Sequence, residues 1–346
     1  MVPNWSLVKK LILESHLIVI TTHLNPDADG LGSQLALALG LKKLGKKVIC
    51  LNEEKLPQRY QYLNKSRTIK SVSEIGSRWE KLLKEKIDLL MVVDSNSELM
   101  IGKRITKIFD GAANKIFIDH HPAPLKIFRK HCIDTSSAAT GELVAKILNK
   151  LKIPITVPMS LSLYTAILID TSSFRYPSVQ GNTHRILGQL LDSGLNPARA
   201  YNHIYGEKKI KHLHLLGEVL SGVQIDSTGL IAWISIKKKQ ILKTKISSED
   251  THYFINHLLV LKGIKVVCLF RETEGYVKVS FRSTLNPLEK KPFNVGEMAF
   301  QLGGGGHIHA AATQIKGSLP KVIKKTIKDI QQILRKENFP KISLVP

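Results

Sequence analysis

Short apolar runs alternating with helical patterns fill the first half of the chain, and three of those runs end in acids or imidazoles. Residues 16–23 (HLIVITTH), 47–51 (KVICL), 87–93 (IDLLMVV) and 115–118 read as buried strands, because each is a continuous aliphatic block bounded by turn signals. Between the first two, residues 30–44 carry Leu35, Leu39 and Leu41 at helical spacing, with Gly45 at the stop. Further helices are expected over 74–86, over 138–150 with Ser136 and Ser137 as cap candidates, and over 182–192, closed by Gly194. Residues 159–169 fit a buried helix or a strand, and Pro158 near their start favours the helix. Strands that alternate with helices pair in parallel and are covered on both faces. The fold class is therefore α/β, with an N-terminal parallel sheet.

The pattern changes after a charged amphipathic connecting helix at 208–220. Alternating strands follow at 222–225, 230–236, 266–272 and 276–282, with a helix over 248–261 behind a capping signal at 247–250. Ala310, Ala311 and Ala312 read as helix-prone, and a basic helix covers 319–337. These elements predict a smaller C-terminal α/β domain with a mixed sheet. The expected division is a first domain over 1–194, a connecting helix or linker over 195–220, and a second domain over 221–346.

Composition narrows the function classes. Lysine and arginine number 51 against 28 acids, a formal charge of +23, which suits a polyanionic partner; a lysine-rich genome is the plainer explanation. No apolar run approaches the ~18–20 residues of a membrane span. Cys50, Cys132 and Cys268 are too far apart in sequence for a metal knuckle or a disulfide framework. A soluble, cytoplasmic protein is expected.

The chemistry lies where the strands end, since ligands of open α/β sheets sit beyond the strands' carboxyl ends. His23, Asp27 and Asp29 follow the first strand, Asp94 the third, and Asp119, His120 and His121 the fourth; Asp170 closes the 159–169 segment. Taken singly, these are ordinary turn residues, helix caps or surface histidines. Gathered on one edge, the acids would repel one another and hold raised pKa values unless cations joined them. Two divalent ions balance the four charges of Asp27, Asp29, Asp94 and Asp170. Oxygen-rich ligation with some imidazole suits manganese or magnesium, and zinc less often. Such a pair serves in-line phosphoryl displacement. The backbone N–H groups of Gly303–Gly306, with His307 beside them, could approach a phosphate closely; a flexible linker is the alternative. Arg282 offers a planar fork, or a surface salt bridge. The lysines of 237–245 and 321–336 read as solvated faces, and aromatic residues at 6% argue against a long base-stacking track.

His23-x-x-Pro26-Asp27-x-Asp29-x-x-Gly32-Ser33, Val93-Asp94-Ser95, Asp119-His120-His121 and Asp170-Thr171 resemble, in order and spacing, the motifs of the DHH phosphoesterase family. Ser280-Phe281-Arg282-Ser283 and Gly303-Gly304-Gly305-Gly306-His307 resemble substrate-binding segments of the DHH-associated C-terminal domain. Nearly the whole chain is covered, and its length and domain pairing look most like the bacterial nano-RNase and 3′-phosphoadenosine-5′-phosphate phosphatase branch. Gly30 departs from the alanine common there, and is expected to loosen the turn without touching a ligand. The resemblance implies that His23 and Asp27 hold one metal, Asp29, His120 and Asp170 the other, and Asp94 both. It implies that Asp119 orients a histidine and His121 faces the scissile phosphate. Arg282, Ser283, Gly304, Gly305, Gly306 and His307 would bind substrate, in a cleft between the domains. The implied activity is hydrolysis of short oligoribonucleotides and 3′-phosphoadenosine 5′-phosphate by metal-activated water, with a homodimer plausible by resemblance. Dinucleotide or short-chain polyphosphate hydrolysis are the alternatives within the class, and a catalytically inactive nucleic-acid-binding regulator is the alternative outside it.

Overall fold

The apolar blocks of the first half assemble into one six-stranded sheet: β1 (Leu17–Thr21), β2 (Lys47–Asn52), β3 (Ile69–Ser71), β4 (Leu89–Val93), β5 (Asn114–Asp119) and β6 (Cys132–Ile133). Their order is β3-β2-β1-β4-β5-β6, and every pairing is parallel. All five residues of β1 and of β4 are buried, because side chains alternate across a sheet that is covered on both faces. Ile18, Ile20, Met91 and Val93 join one core, while Leu17, Val19, Leu90 and Val92 join the other. Each such burial contributes about 1.5–3 kcal/mol. This computed structural model describes residues 3–123, 131–206, 208–284 and 293–337, which fall into two compact units, Met1–Glu207 and Lys208–Pro346.

The helix Ala28–Lys43 is buried almost all round, against the sheet and the helix Val157–Asp170. Gly32 permits that approach, since a Cβ there would sit 2.4 Å from Ser162 O. The ambiguous 159–169 segment is therefore a helix, entered through Pro158. The helix expected over 74–86 is instead two pieces, Val72–Ile75 and Arg78–Lys84. Gly76 separates them with φ 52°, which no helix interior accommodates. Helices Trp5–Glu14, Lys103–Gly111 and Pro197–Tyr205 were not read from the sequence.

In the second unit the order is β11-β12-β10-β9-β8-β7, built from Gln224–Ile225 (β7), Ile231–Ile236 (β8), Val266–Glu272 (β9), Tyr276–Ser283 (β10), Gly305–Gly306 (β11) and Ala310–Lys316 (β12). The sheet is mixed: β8 and β9 run parallel and the other neighbours antiparallel. Phe270, Phe281 and Phe293 share one core with Ile330 and Leu334 of the helix Leu319–Lys336. The helix expected at Ala310–Ala312 is a strand. Alanine's helical preference is worth only tenths of a kcal/mol per residue, and a ladder along β10 from Tyr276 to Arg282 outweighs it. Residues 248–261 form 3-10 turns rather than an α-helix, and the Glu249 side chain of the expected capping signal lies outside the described residues. The connecting segment contains the helix Ile210–Ser221, and Lys238–Thr244 is a further helix flanked by exposed Lys237 and Lys245. Among the described residues no helix is long and apolar enough to cross a membrane.

Candidate metal centre

The strand order reverses at β1 and β4, so their outgoing loops part and leave a crevice at the carboxyl edge. Residues from both loops meet there. Asp27 caps the helix Ala28–Lys43, its Oδ1 accepting from Asp29 N at 3.0 Å and Gly30 N at 3.1 Å. His23 Nδ1 lies 2.7 Å from Leu24 O. Its Nε2 is 3.7 Å from Asp27 Oδ1 and 3.5 Å from Asp94 Oδ2. Asp94, the first residue past β4, has φ 59°. That left-handed turn is one aspartate tolerates better than most residues. It sets the carboxylate among three imidazoles: besides His23, Oδ1 lies 3.9 Å from His120 Nε2 and 3.8 Å from His121 Nδ1.

Asp29 is 1% exposed and firmly held. It accepts from Thr140 N at 2.6 Å, Gly141 N at 2.9 Å and Ser33 Oγ at 3.1 Å. It thus caps the helix Thr140–Lys150, whose own N-cap Ala139 has no polar side chain. The expected caps Ser136 and Ser137 bond Asp134 instead. His120 Nε2 stands 3.8 Å from Asp29 Oδ2 and 3.4 Å from Asp170 Oδ2, the latter carried by the end of a helix and not a strand. Asp119, at the end of β5 and fully buried, accepts His121 Nδ1 at 2.6 Å and His120 N at 2.9 Å on Oδ1, and Asn96 Nδ2 at 2.7 Å on Oδ2. All eight sequence-predicted residues of this unit converge. Thr140, whose hydroxyl donates to Asp94 Oδ1 at 3.0 Å, and Asn96 were missed. Thr140 has no local signal, whereas Asn96 follows Asp94 closely enough to have been suspected.

Crowded acids behave accordingly. Burial, then the charges of Asp94 and Asp170, hold the Asp29 carboxyl well above its ordinary range. Burial raises Asp170 to about 6, with Asp94 and Asp27 adding to it against His120. Burial would lower the imidazoles, but Asp27 and Asp94 push His23 up to about 12, and Asp119 with its neighbours lifts His121 to about 9. The donor set fits divalent metal: two donors about 2.1 Å from one ion lie roughly 3.0 Å apart at a right angle and roughly 4.2 Å apart on opposite sides. The carboxylate–imidazole separations of 3.4–3.9 Å fall between those limits. His23, Asp27 and Asp94 form one ligand-type group and Asp29, Asp94 and His120 another.

Gly30 does not stand clear of these ligands, as the sequence suggested it would. A Cβ there would meet Thr22 Oγ1 at 2.3 Å, so glycine makes room beside Thr22, and its own N–H donates to Asp27 Oδ1 at 3.1 Å.

In the second unit Arg282 is half-buried on β10, its Nη1 donating to Phe281 O at 2.8 Å; no acid pairs with it among the described residues. Ser283 is buried, its Oγ 2.7 Å from His309 Nδ1. The glycine run is ordered secondary structure. Gly304 N donates to Ala299 O at 2.8 Å, Gly305 and Gly306 form the edge strand β11, and His307 N and Ala310 O close a tight turn at 2.7 Å. A Cβ at Gly304 would lie 2.1 Å from Ala312 O, and one at Gly306 2.4 Å from Ala310 O, whereas Gly305 has nothing within 4 Å. The fold demands the first two; Gly305 is left facing open space.

Comparison with known proteins agrees with both units. The chain is 26% identical over 323 residues to the bifunctional oligoribonuclease and PAP phosphatase NrnA of Thermus thermophilus, covering 93% of this chain and 91% of that protein. It is 26% identical to the Mycoplasma pneumoniae protein of the same name, covering 91% and 92%. The crystal structure of an exopolyphosphatase-related protein from Bacteroides fragilis superposes with a TM-score of 0.84 at 26% identity, covering 96% of this chain and 95% of that one. The DHH family, N-terminal domain, matches residues 17–169, and the DHHA1 domain matches residues 231–336. The first unit therefore carries a DHH domain and the second a DHHA1 domain.

Proposed function

We propose that this chain is a metal-dependent phosphoesterase that degrades short oligoribonucleotides to mononucleotides and removes the 3′-phosphate of 3′-phosphoadenosine 5′-phosphate. The observation that carries the reading is Asp94, whose two oxygens serve the His23–Asp27 group on one side and the His120–Asp29 group on the other. Divalent cations held there, manganese foremost and magnesium second, supply Lewis-acid activation of water and of phosphoryl oxygen. In this reading His23 and Asp27 hold one ion, Asp29, His120 and Asp170 the other, and Asp94 both. Asp119 fixes the His121 ring through Nδ1, which leaves Nε2 for an oxygen of the scissile phosphate. Arg282, Ser283, Gly304, Gly305, Gly306 and His307 take the substrate. The guanidinium fork suits a phosphate, and an edge strand of glycine presents backbone N–H groups without side chains in the way. The names of the Thermus and Mycoplasma relatives support the substrate class. The proposed setting is the cytoplasm, in keeping with three buried free thiols.

A second reading, short-chain polyphosphate hydrolysis, is favoured by the description of the Bacteroides structure. The test is purified protein with manganese or magnesium, given RNA of two to five nucleotides, 3′-phosphoadenosine 5′-phosphate, a cyclic dinucleotide and short polyphosphate. Release of mononucleotides from the RNA is expected, with adenosine monophosphate from the bisphosphate. Turnover of polyphosphate alone would sink the first reading and support the second.

A further inference from the structure

Just past Asp170 the first unit carries a second group of ligand-type side chains. Ser172, Ser173 and Phe174 follow one another with φ 49°, 62° and 64°. Left-handed backbone costs an L-residue about 1–2 kcal/mol, so three in succession persist only where contacts over-determine them. Ser173 N donates to Leu168 O at 2.7 Å, Phe174 N to Thr171 Oγ1 at 3.0 Å, and Arg175 N to Thr171 O at 3.0 Å. The Arg175 guanidinium locks the turn, Nε donating to Ser172 O at 2.9 Å and Nη2 to Ser172 Oγ at 2.8 Å.

A guanidinium has five N–H donors, and Ser172 takes two of them. The side chain stays exposed, with no carboxylate paired to it among the described residues. An aromatic wall stands next to it. Ser173 Oγ is 3.1 Å from Tyr205 Oη, and the Tyr205 ring lies 5.0 Å from that of Tyr201, which is 53% exposed. Burial raises the Tyr205 hydroxyl, against the bond to Ser173 and the Arg175 charge. Behind them Tyr62 stacks on His203 at 5.0 Å and bonds Thr165 at 3.3 Å, tying the helix Pro197–Tyr205 to the helix that ends in Asp170. Locking the turn accounts for two donors of Arg175. It does not account for the three remaining donors of an exposed guanidinium on a turn that Ser173 ties to Tyr205.

We propose that Arg175, Tyr205 and Tyr201 form a nucleotide subsite of the DHH unit. The remaining guanidinium donors take a phosphate oxygen of the nucleotide adjoining the scissile bond, Tyr201 stacks on its base, and Tyr205 positions both. Arg175 N bonds Thr171 O at 3.0 Å, so the turn that carries Arg175 starts at the residue after Asp170, a proposed metal-binding carboxylate. The inference rests on the phosphoesterase reading and adds what recognises the flanking nucleotide.

The test compares a diribonucleotide with bis(p-nitrophenyl) phosphate, a diester without base or sugar, in the manganese-loaded full chain. Arg175→Ala and Tyr201→Ala are each expected to raise the ratio of KM for the diribonucleotide to KM for the small diester roughly tenfold, the loss of one stacked or ion-paired group. Tyr201→Phe keeps the ring and is expected to restore the ratio. Thermal melting of each variant monitors the fold. A ratio unchanged in both alanine variants, with the wild type active on the diribonucleotide, overturns the subsite and leaves the phosphoesterase reading standing. Wild-type protein that cleaves the small diester but no diribonucleotide overturns both.

Discussion

Asp29 and Asp226, one in each unit, are both buried carboxylates, with opposite electrostatic results. Asp226 in the second unit is 7% exposed and accepts from Leu230 N, Ile231 N, Thr228 Oγ1 and Gln331 Nε2 at 2.6–3.1 Å. Burial would raise its pKa, but these donors outweigh burial and lower it. Asp29 in the first unit also has its donors, yet its pKa is raised, because Asp94, Asp170 and Asp27 press on it. Asp226 meets only donors, whereas Asp29 meets donors and three other carboxylates. A parallel sheet makes the second condition easy to reach, since all its strands deliver their carboxyl ends to one edge. A mixed sheet scatters those ends, and the second unit places a glycine edge and an arginine there instead.

The contrast breaks first at Asp94. Asp94→Asn keeps a residue type that accepts the left-handed turn but removes the charge shared by both ligand groups. Turnover of a short RNA is expected to fall roughly a thousandfold or more, with bound manganese reduced in metal analysis. Wild-type activity in this variant would refute the shared-ligand assignment. Asp119→Asn comes next. It keeps the shape but gives His121 a weaker partner, and an orienting carboxylate of this kind is worth about 10–100-fold. That loss should appear in kcat with manganese content little changed; equal loss of metal would make Asp119 a ligand.

The glycine edge allows a sharper test within the second unit. Gly304→Ala forces a Cβ against Ala312 O and is expected to cost about 1–3 kcal/mol of stability, read as a lower melting temperature. Gly305→Ala meets open space, so it should leave melting unchanged while raising KM several-fold if a phosphate approaches that backbone. An unchanged KM in Gly305→Ala would return the run to a purely structural role.

Much of this was legible in the sequence, for identifiable reasons. Continuous aliphatic runs give buried parallel strands, and acids written just after such runs must land on one edge; His23, Asp94 and Asp119 could be placed that way. The partnership of Asp29 with Thr140 could not, because it spans 111 residues and leaves no periodic trace. Ala310–Ala312 misled because local propensity is weaker than a strand partner. The turn at Ser172–Phe174 was invisible for a related reason. Its left-handed backbone carries neither glycine nor asparagine, the residues that normally announce one.

The smallest expected effect returns to Asp226. Its folded pKa is depressed, so the stability it contributes is fully present above the unfolded value, near 4, and fades as pH falls through the folded value. Asp226→Asn loses the charge and at least one accepted bond, which should cost about 1–3 kcal/mol in urea unfolding at pH 7. Hydrogen exchange of β8, whose Ile231 N–H it accepts, should quicken in step. At progressively acid pH the wild type protonates the same carboxyl, and the gap between the two proteins should close. If the gap held constant down to pH 3, the Asp226 charge would carry none of the stability, and its contrast with the acids of the first unit would be one of packing alone.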